Sequence, residues 1–114
     1  MTPALSALLR KSLDGLSMRS IATAQNIANA NSARYRPVSV SFERALQAAS
    51  AEGADAIGAM RIAQDESKVE VKGSAVRLDL ELQTASETSM RYGALIDMLG
   101  RALQLERAII RGGQ

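Results

Sequence analysis

Leu5, Leu9, Leu13, Leu16, Ser20, Ala24 and Ile27 recur at steps of three and four, so the start of the chain reads as one long helix with a single apolar face. Thr2 supplies an N-cap, and Pro3 suits the first helical position, where its missing N–H costs nothing. The pattern closes at Asn26, Asn29, Asn31 and Ser32, asparagine being a residue that tolerates the left-handed conformation of helix ends. Gly15 interrupts the run and weakens it by about 1 kcal/mol relative to alanine. At the other end, Leu82, Ala85, Ser89, Tyr92, Ile96, Leu99, Leu103 and Ile110 follow the same rhythm, with Glu106 the one charged interruption. A second series, Leu95, Met98, Ala102, Leu105 and Ile109, runs along the adjacent flank. The predicted helix has Asp79 as N-cap and continues without proline to Arg111, before Gly112-Gly113. Its apolar face is wider than a two-helix seam requires, so it needs more than one neighbour, some of them from other molecules.

Between the helices the periodicity changes. Val38, Val40 and Phe42 alternate with serines, which predicts a short strand, and residues 43–50 allow two turns of helix. Small, acidic and glycine residues over 51–58 predict a mobile loop. Residues 68–72 alternate Lys, Val, Glu, Val, Lys, an exposed edge strand. The two strand-like pieces either pair with each other or order against a partner. The expected fold class is mainly α: long terminal helices packed as a coiled-coil-like pair around a short irregular, β-containing middle. The expected units are an N-terminal assembly helix over 1–31, a variable middle over 32–78 and a C-terminal assembly helix over 79–111.

Charge sharpens this division. Residues 1–50 carry a net of +4, residues 51–81 a net of −3 and residues 82–114 a net of +1. The overall charge of +2 is small, and its bases are interspersed, which argues against a nucleic-acid partner. Without cysteine or histidine the chain has no thiol chemistry, no thiolate or imidazole metal ligands and no imidazole base. The three aromatic residues, Tyr35, Phe42 and Tyr92, make no stacking platform. Asp65-Glu66 and the pair Asp79 and Glu81 read as solvated or capping carboxylates, and Lys11, Lys68 and Lys72 sit among polar neighbours, unsuited to Ser–Lys catalysis. Neither an enzyme nor a cofactor is expected. The N-terminus lacks the charge order of a cleaved signal peptide, and no apolar run is long enough for direct membrane insertion.

The stretch Ala24-Gln25-Asn26-Ile27-Ala28-Asn29-Ala30-Asn31, followed by Tyr35, resembles the N-terminal signature of bacterial flagellar rod and hook proteins. Val76-Arg77-Leu78-Asp79-Leu80-Glu81, Ser86-Glu87-Thr88-Ser89-Met90-Arg91-Tyr92 and Ala94-Leu95-Ile96 are similar to the C-terminal helix of the flagellar basal-body rod protein family, nearest its proximal rod members. Where the family has Thr-Pro-Gly before its aromatic residue, this chain has Ser32-Ala33-Arg34. The resemblance implies a structural subunit that transmits torque for motility. It would be exported by the flagellar type III apparatus without a cleaved signal, and placed in the periplasmic rod of the basal body. Implied partners are the other rod proteins, the membrane-ring protein and the rod–ring adaptor. A subunit threaded through a narrow channel also gains from folding weakly until it meets its neighbours.

The assembly interface expected on this basis comprises Leu5, Leu9, Leu13, Leu16, Ile27, Asn26, Asn29, Asn31 and Tyr35 from the first half. Leu82, Tyr92, Leu95, Ile96, Leu99, Leu103 and Ile110 complete it from the second. The asparagines serve either as a helix cap and turn or as a packed, hydrogen-bonded interface. The alternative function is a soluble cytoplasmic helical adaptor or chaperone-like module that holds a partner helix on the same stripes. A membrane-surface helix is weaker, because the bases do not gather on one flank of the apolar face.

Overall fold

The computed structural model describes residues 1–68 and 77–112. It is mainly helical, with two long terminal helices and a short middle segment holding a two-stranded sheet. Helix α1 spans Pro3–Ala28; Thr2 Oγ1 accepts from Leu5 N at 3.1 Å, so the predicted cap is made. The helix closes differently from the expectation. Asn29 has φ −107°, and no described non-glycine residue adopts positive φ. Instead the Asn29 backbone N–H and side-chain Nδ2 both donate to the carbonyl of Gln25, satisfying it without a left-handed residue.

Strand β1 (Val38–Val40) follows, then helix α2 (Glu43–Glu52), helix α3 (Ala54–Ala59), strand β2 (Gln64–Glu66) and helix α4 (Leu78–Gly112). The strands pair antiparallel, with Val38 opposite Glu66, Ser39 opposite Asp65 and Val40 opposite Gln64. Residues 69–72 of the strand predicted at 68–72 lie outside the described residues; the observed partner of β1 is the segment just before them. The loop predicted over 51–58 is a correction. Gly53, at φ 113°, breaks α2 from α3, and α3 then drives Ile57 into the core, where it is 1% exposed. Small residues allow this close return, and one branched side chain anchors it.

Asp79 is not the cap of α4 but lies in its first turn, 3.0 Å from Arg77. The arginine's hydrogen bond is the main reason the Asp79 carboxyl sits below its usual range. At ~1.5 Å per residue the 35 residues of α4 extend about 52 Å. The molecule is 64 × 26 × 14 Å, so its shortest dimension is little more than one helix thick. Few residues in such a body can be surrounded on all sides. The core is correspondingly small: Leu16, Ala22, Val40, Phe42, Leu46 and Ile57, with Leu95 the one contribution from α4.

Phe42 organises this core through two neighbours that local propensity does not explain. Its ring lies on Gly15 so closely that a Cβ there would stand 2.5 Å from Phe42 Cε1. The mid-helix glycine is therefore a socket for the ring, and its helix-propensity cost is offset by packing. Arg19 places its guanidinium 5.0 Å from the ring centroid. It also donates from Nε and Nη2 to the carbonyl of Val40, and from Nη1 and Nη2 to the two carboxylate oxygens of Glu43 at 2.7 and 2.6 Å. One side chain thus ties α1 to β1 and to the first turn of α2.

Candidate assembly surface

Asn26 is 2% exposed and makes four hydrogen bonds. Its Nδ2 donates to the Val38 carbonyl at 2.8 Å and to Glu81 Oε1 at 3.0 Å. Its Oδ1 accepts from Val38 N at 2.9 Å and from the Tyr35 hydroxyl at 2.6 Å. The amide thereby pairs with both backbone groups of Val38 as a neighbouring strand would, and it reaches α4 through Glu81. Burial, then the negative charges of Glu81 and Glu66, raise the Tyr35 pKa, which keeps the phenol protonated as a donor. Of the two roles open to the asparagines, Asn26 is internal glue, Asn29 is a cap, and Asn31 is exposed beyond the helix.

The pairing of α1 with α4 is antiparallel. Glu81 meets Asn26 and Glu106 meets the Met1 ammonium, contacts twenty-five residues apart on each helix. The residues of α4 that are wholly or partly covered are Glu81, Thr84, Ala85, Thr88, Leu95, Leu99, Ala102 and Glu106. They repeat every seven residues, as a coiled-coil seam does. What fills that seam is mostly small or polar. Only Leu95 and Leu99 bring large aliphatic side chains to it, and only Thr88 is fully buried, its hydroxyl bonded back to the Thr84 carbonyl.

The large apolar residues lie elsewhere on the same helix. Among the described residues, eleven of the thirteen exposed large hydrophobics belong to α4, so its apolar surface is concentrated rather than scattered. Leu82, Tyr92, Ile96, Leu103 and Ile110, all expected at the interface, are exposed; Leu95 and Leu99 are half-buried against α1. On α1, Leu5 is exposed and Leu13 and Ile27 are half-buried, as is Tyr35 beyond it. Leu9, Leu16 and Asn26 are buried within the chain, Leu16 at the floor of a groove. The buried stripe of α1 passes instead through Leu9, Gly15, Leu16, Ala22, Thr23 and Asn26, leaving Ser20 and Ala24 exposed. The predicted stripe drifted because α1 is covered from two sides. The exposed large hydrophobics absent from the expected set are Ile21 on α1 and Leu78, Leu80, Met90, Met98, Leu105 and Ile109 on α4. The second series along the helix had already marked three of them as apolar.

Beside the seam, α2 and α4 stand apart as the walls of a groove whose floor is α1. Its volume is about 440 Å³, and Leu8, Leu16, Phe42, Leu46, Ala94 and Leu95 line it. Ser12, Glu43, Gln47 and Arg91 form the polar margin, and Arg91 spans it to Glu43 at 3.5 Å. The Arg19 hydrogen bonds hold the Glu43 carboxyl at a pKa of about 2, against the opposing effect of partial burial. Glu43 is thus a fixed negative charge at neutral pH. Among the described residues no group of carboxylates could hold a metal ion. No described helix is long and apolar enough to cross a membrane. No protein-family model and no curated protein matches the chain.

Proposed function

We propose that this protein is a structural subunit of the bacterial flagellar basal-body rod, of the proximal type, with no catalytic role. One observation supports the reading above the rest: α4 turns its small and polar residues toward α1 and its large aliphatic residues outward. A helix arranged in this way has its stability completed by neighbours. Each branched side chain moved from water into an interface contributes ~1.5–3 kcal/mol, so a handful suffices to hold a subunit in a wall. Rigid packing of such helices is also what transmits torque. The motif residues fit this use: Asn26 and Tyr35 of the signature stretch fix the end of α1 to β1 and α4, which sets the angle at which α4 is presented. The proposed partners are other rod proteins, the membrane-ring protein and the rod–ring adaptor, reached by type III export into the periplasmic rod.

The test is genetic and biochemical. Deleting the gene in the bacterium that encodes it should abolish filaments and swimming, and the protein should co-purify with hook–basal bodies. A protein that stays cytosolic, in cells that swim without it, rejects the rod reading and favours a helical adaptor that uses the groove for a partner helix.

A further inference from the structure

The antiparallel α1–α4 pair has two sides. One carries β1, α2, α3 and the groove. The other opens at the cleft where Ser17 and Ser20 of α1 meet Ser89 and Tyr92 of α4, and none of the other described elements covers it. On that side α4 presents Leu78, Leu82, Tyr92, Ile96, Leu103 and Ile110, each at least 40% exposed. Leu82, Ser89, Ile96, Leu103 and Ile110 recur every seven residues and so make one stripe down the helix. Gly93 and Gly100 edge this stripe, and a Cβ at either would meet nothing within 4 Å. The Phe42 ring offsets the cost of Gly15; nothing described in the chain offsets these two. What they permit is the close approach of another backbone. The adjoining flank of α1 is also small, with Ser6, Ser17 and Ala24 around Leu13.

The size of this face fits a second copy. From Leu78 to Ile110 the α4 part is about 48 Å long, and from Ser6 to Ala24 the α1 part is about 27 Å; at ~10 Å of width per helix the face covers about 750 Å². A stable interface takes about 800 Å² from each partner, and two copies laid face to face use all of it. Charge fixes their direction. Arg10 and Asp14 run along the outer edge of the face on either side of Leu13, and among the described residues neither is in an ion pair. With the copies antiparallel about a twofold axis near Leu13 and Ile96, each Arg10 meets the second copy's Asp14. The same arrangement keeps Arg107 about 33 Å along the axis from its equivalent, whereas parallel α4 helices would set the two side by side.

We infer that two copies pack through this face as a symmetric dimer, α1 and α4 of each forming an antiparallel four-helix bundle. Ile96 lies near the axis, and Leu82 of one copy faces Ile110 of the other at each end. The inference goes beyond the rod reading, since it describes the free subunit, whose dimer opens before the same face meets other rod proteins.

Sedimentation equilibrium of the unaltered chain should show monomer and dimer and nothing larger. The absence of cysteine makes the contact easy to map. After mild oxidation, Ile96→Cys should cross-link with itself. Leu82→Cys and Ile110→Cys, each about 42 Å along the axis from its own equivalent, should cross-link poorly alone and several times better when mixed. Ala94→Cys, on the groove flank, should not cross-link. Ile96→Arg brings like charges together at the axis and should raise the dimer dissociation constant about tenfold or more. Circular dichroism checks that each variant keeps its helix. A chain that stays monomeric at every concentration overturns the dimer and leaves the face to a different protein. Self-cross-linking of Leu82→Cys or Ala94→Cys as strong as that of Ile96→Cys, or an Ile96→Arg protein that dimerises like the parent, overturns it as well. All of this is read on the purified chain, so it is decided separately from the swimming and fractionation tests of the rod reading.

Discussion

Helix α4 is richer in leucine and poorer in alanine than the α1–β1–α2–α3–β2 unit, yet it is the unit that builds the core and α4 that leaves its apolar side chains outside. In the unit, Leu16, Ala22, Val40, Phe42, Leu46 and Ile57 converge on one core. The buried side-chain polar atoms among the described residues all have partners. In α4, 35 residues pack chiefly against α1, reach α2 through the Arg91–Glu43 pair, and bury one threonine. A helix touched along one side retains only the part of its apolar surface that meets that side. The difference separates residues that make the fold from residues available to neighbours.

Substitutions should divide along the same line. The largest loss is expected for Phe42→Ala, about 3–5 kcal/mol by urea denaturation, since it empties the centre of the small core. Asn26→Ala should follow at about 2–4 kcal/mol, because Val38, Tyr35 and Glu81 lose the group that joins them. An Asn26→Ala protein as stable as the parent would show that the polar knot is dispensable. Gly15→Ala gains ~1 kcal/mol of helix propensity but forces a methyl into the Phe42 ring, and should lose about 1–2 kcal/mol net. A stabilised Gly15→Ala protein would mean that the ring can move aside.

Acid gives a smaller effect. The Glu43 pKa is depressed in the fold, so its contribution is present above the ordinary glutamate pKa and fades as pH falls through about 2. With the carboxylate half exposed, this should amount to less than about 1 kcal/mol. Glu43→Gln should flatten that part of the pH–stability curve. Smallest of all, Leu105→Ser or Ile110→Ser should change monomer stability by no more than ~0.5 kcal/mol and, on the proposed rod function, should reduce incorporation into basal bodies. A large loss in the monomer from either change would erase the contrast between the two regions.

The helices were legible because period and caps are local. Thr2 and Pro3 marked one start, the apolar series of α4 persisted for eight turns, and Val38, Val40 and Phe42 alternated as a strand edge does. What escaped depended on residues distant in sequence. Ala54–Ala59 looked like loop because nothing near Ile57 announces that its side chain will be enclosed. The stripe on α1 went astray after Leu16 because a helix covered by α4 on one side and by β1, α2 and α3 on another follows no single face. Gly15 read as a defect until Phe42 arrived twenty-seven residues later. The exposed apolar surface was anticipated in amount, since its width is written in two series, but not in the members that α1 would cover.

Sequence alone determined that this protein is two long amphipathic helices around a weaker middle, without the side chains for imidazole or thiol chemistry. These are properties of spacing and composition, and they hold wherever the helices lie. Tertiary structure decided which flank of α4 meets α1, that Asn26 is internal, and that a groove opens between α2 and α4. The rotation and register of two packed helices come from how side chains many residues apart share space and hydrogen bonds, and no local pattern encodes that.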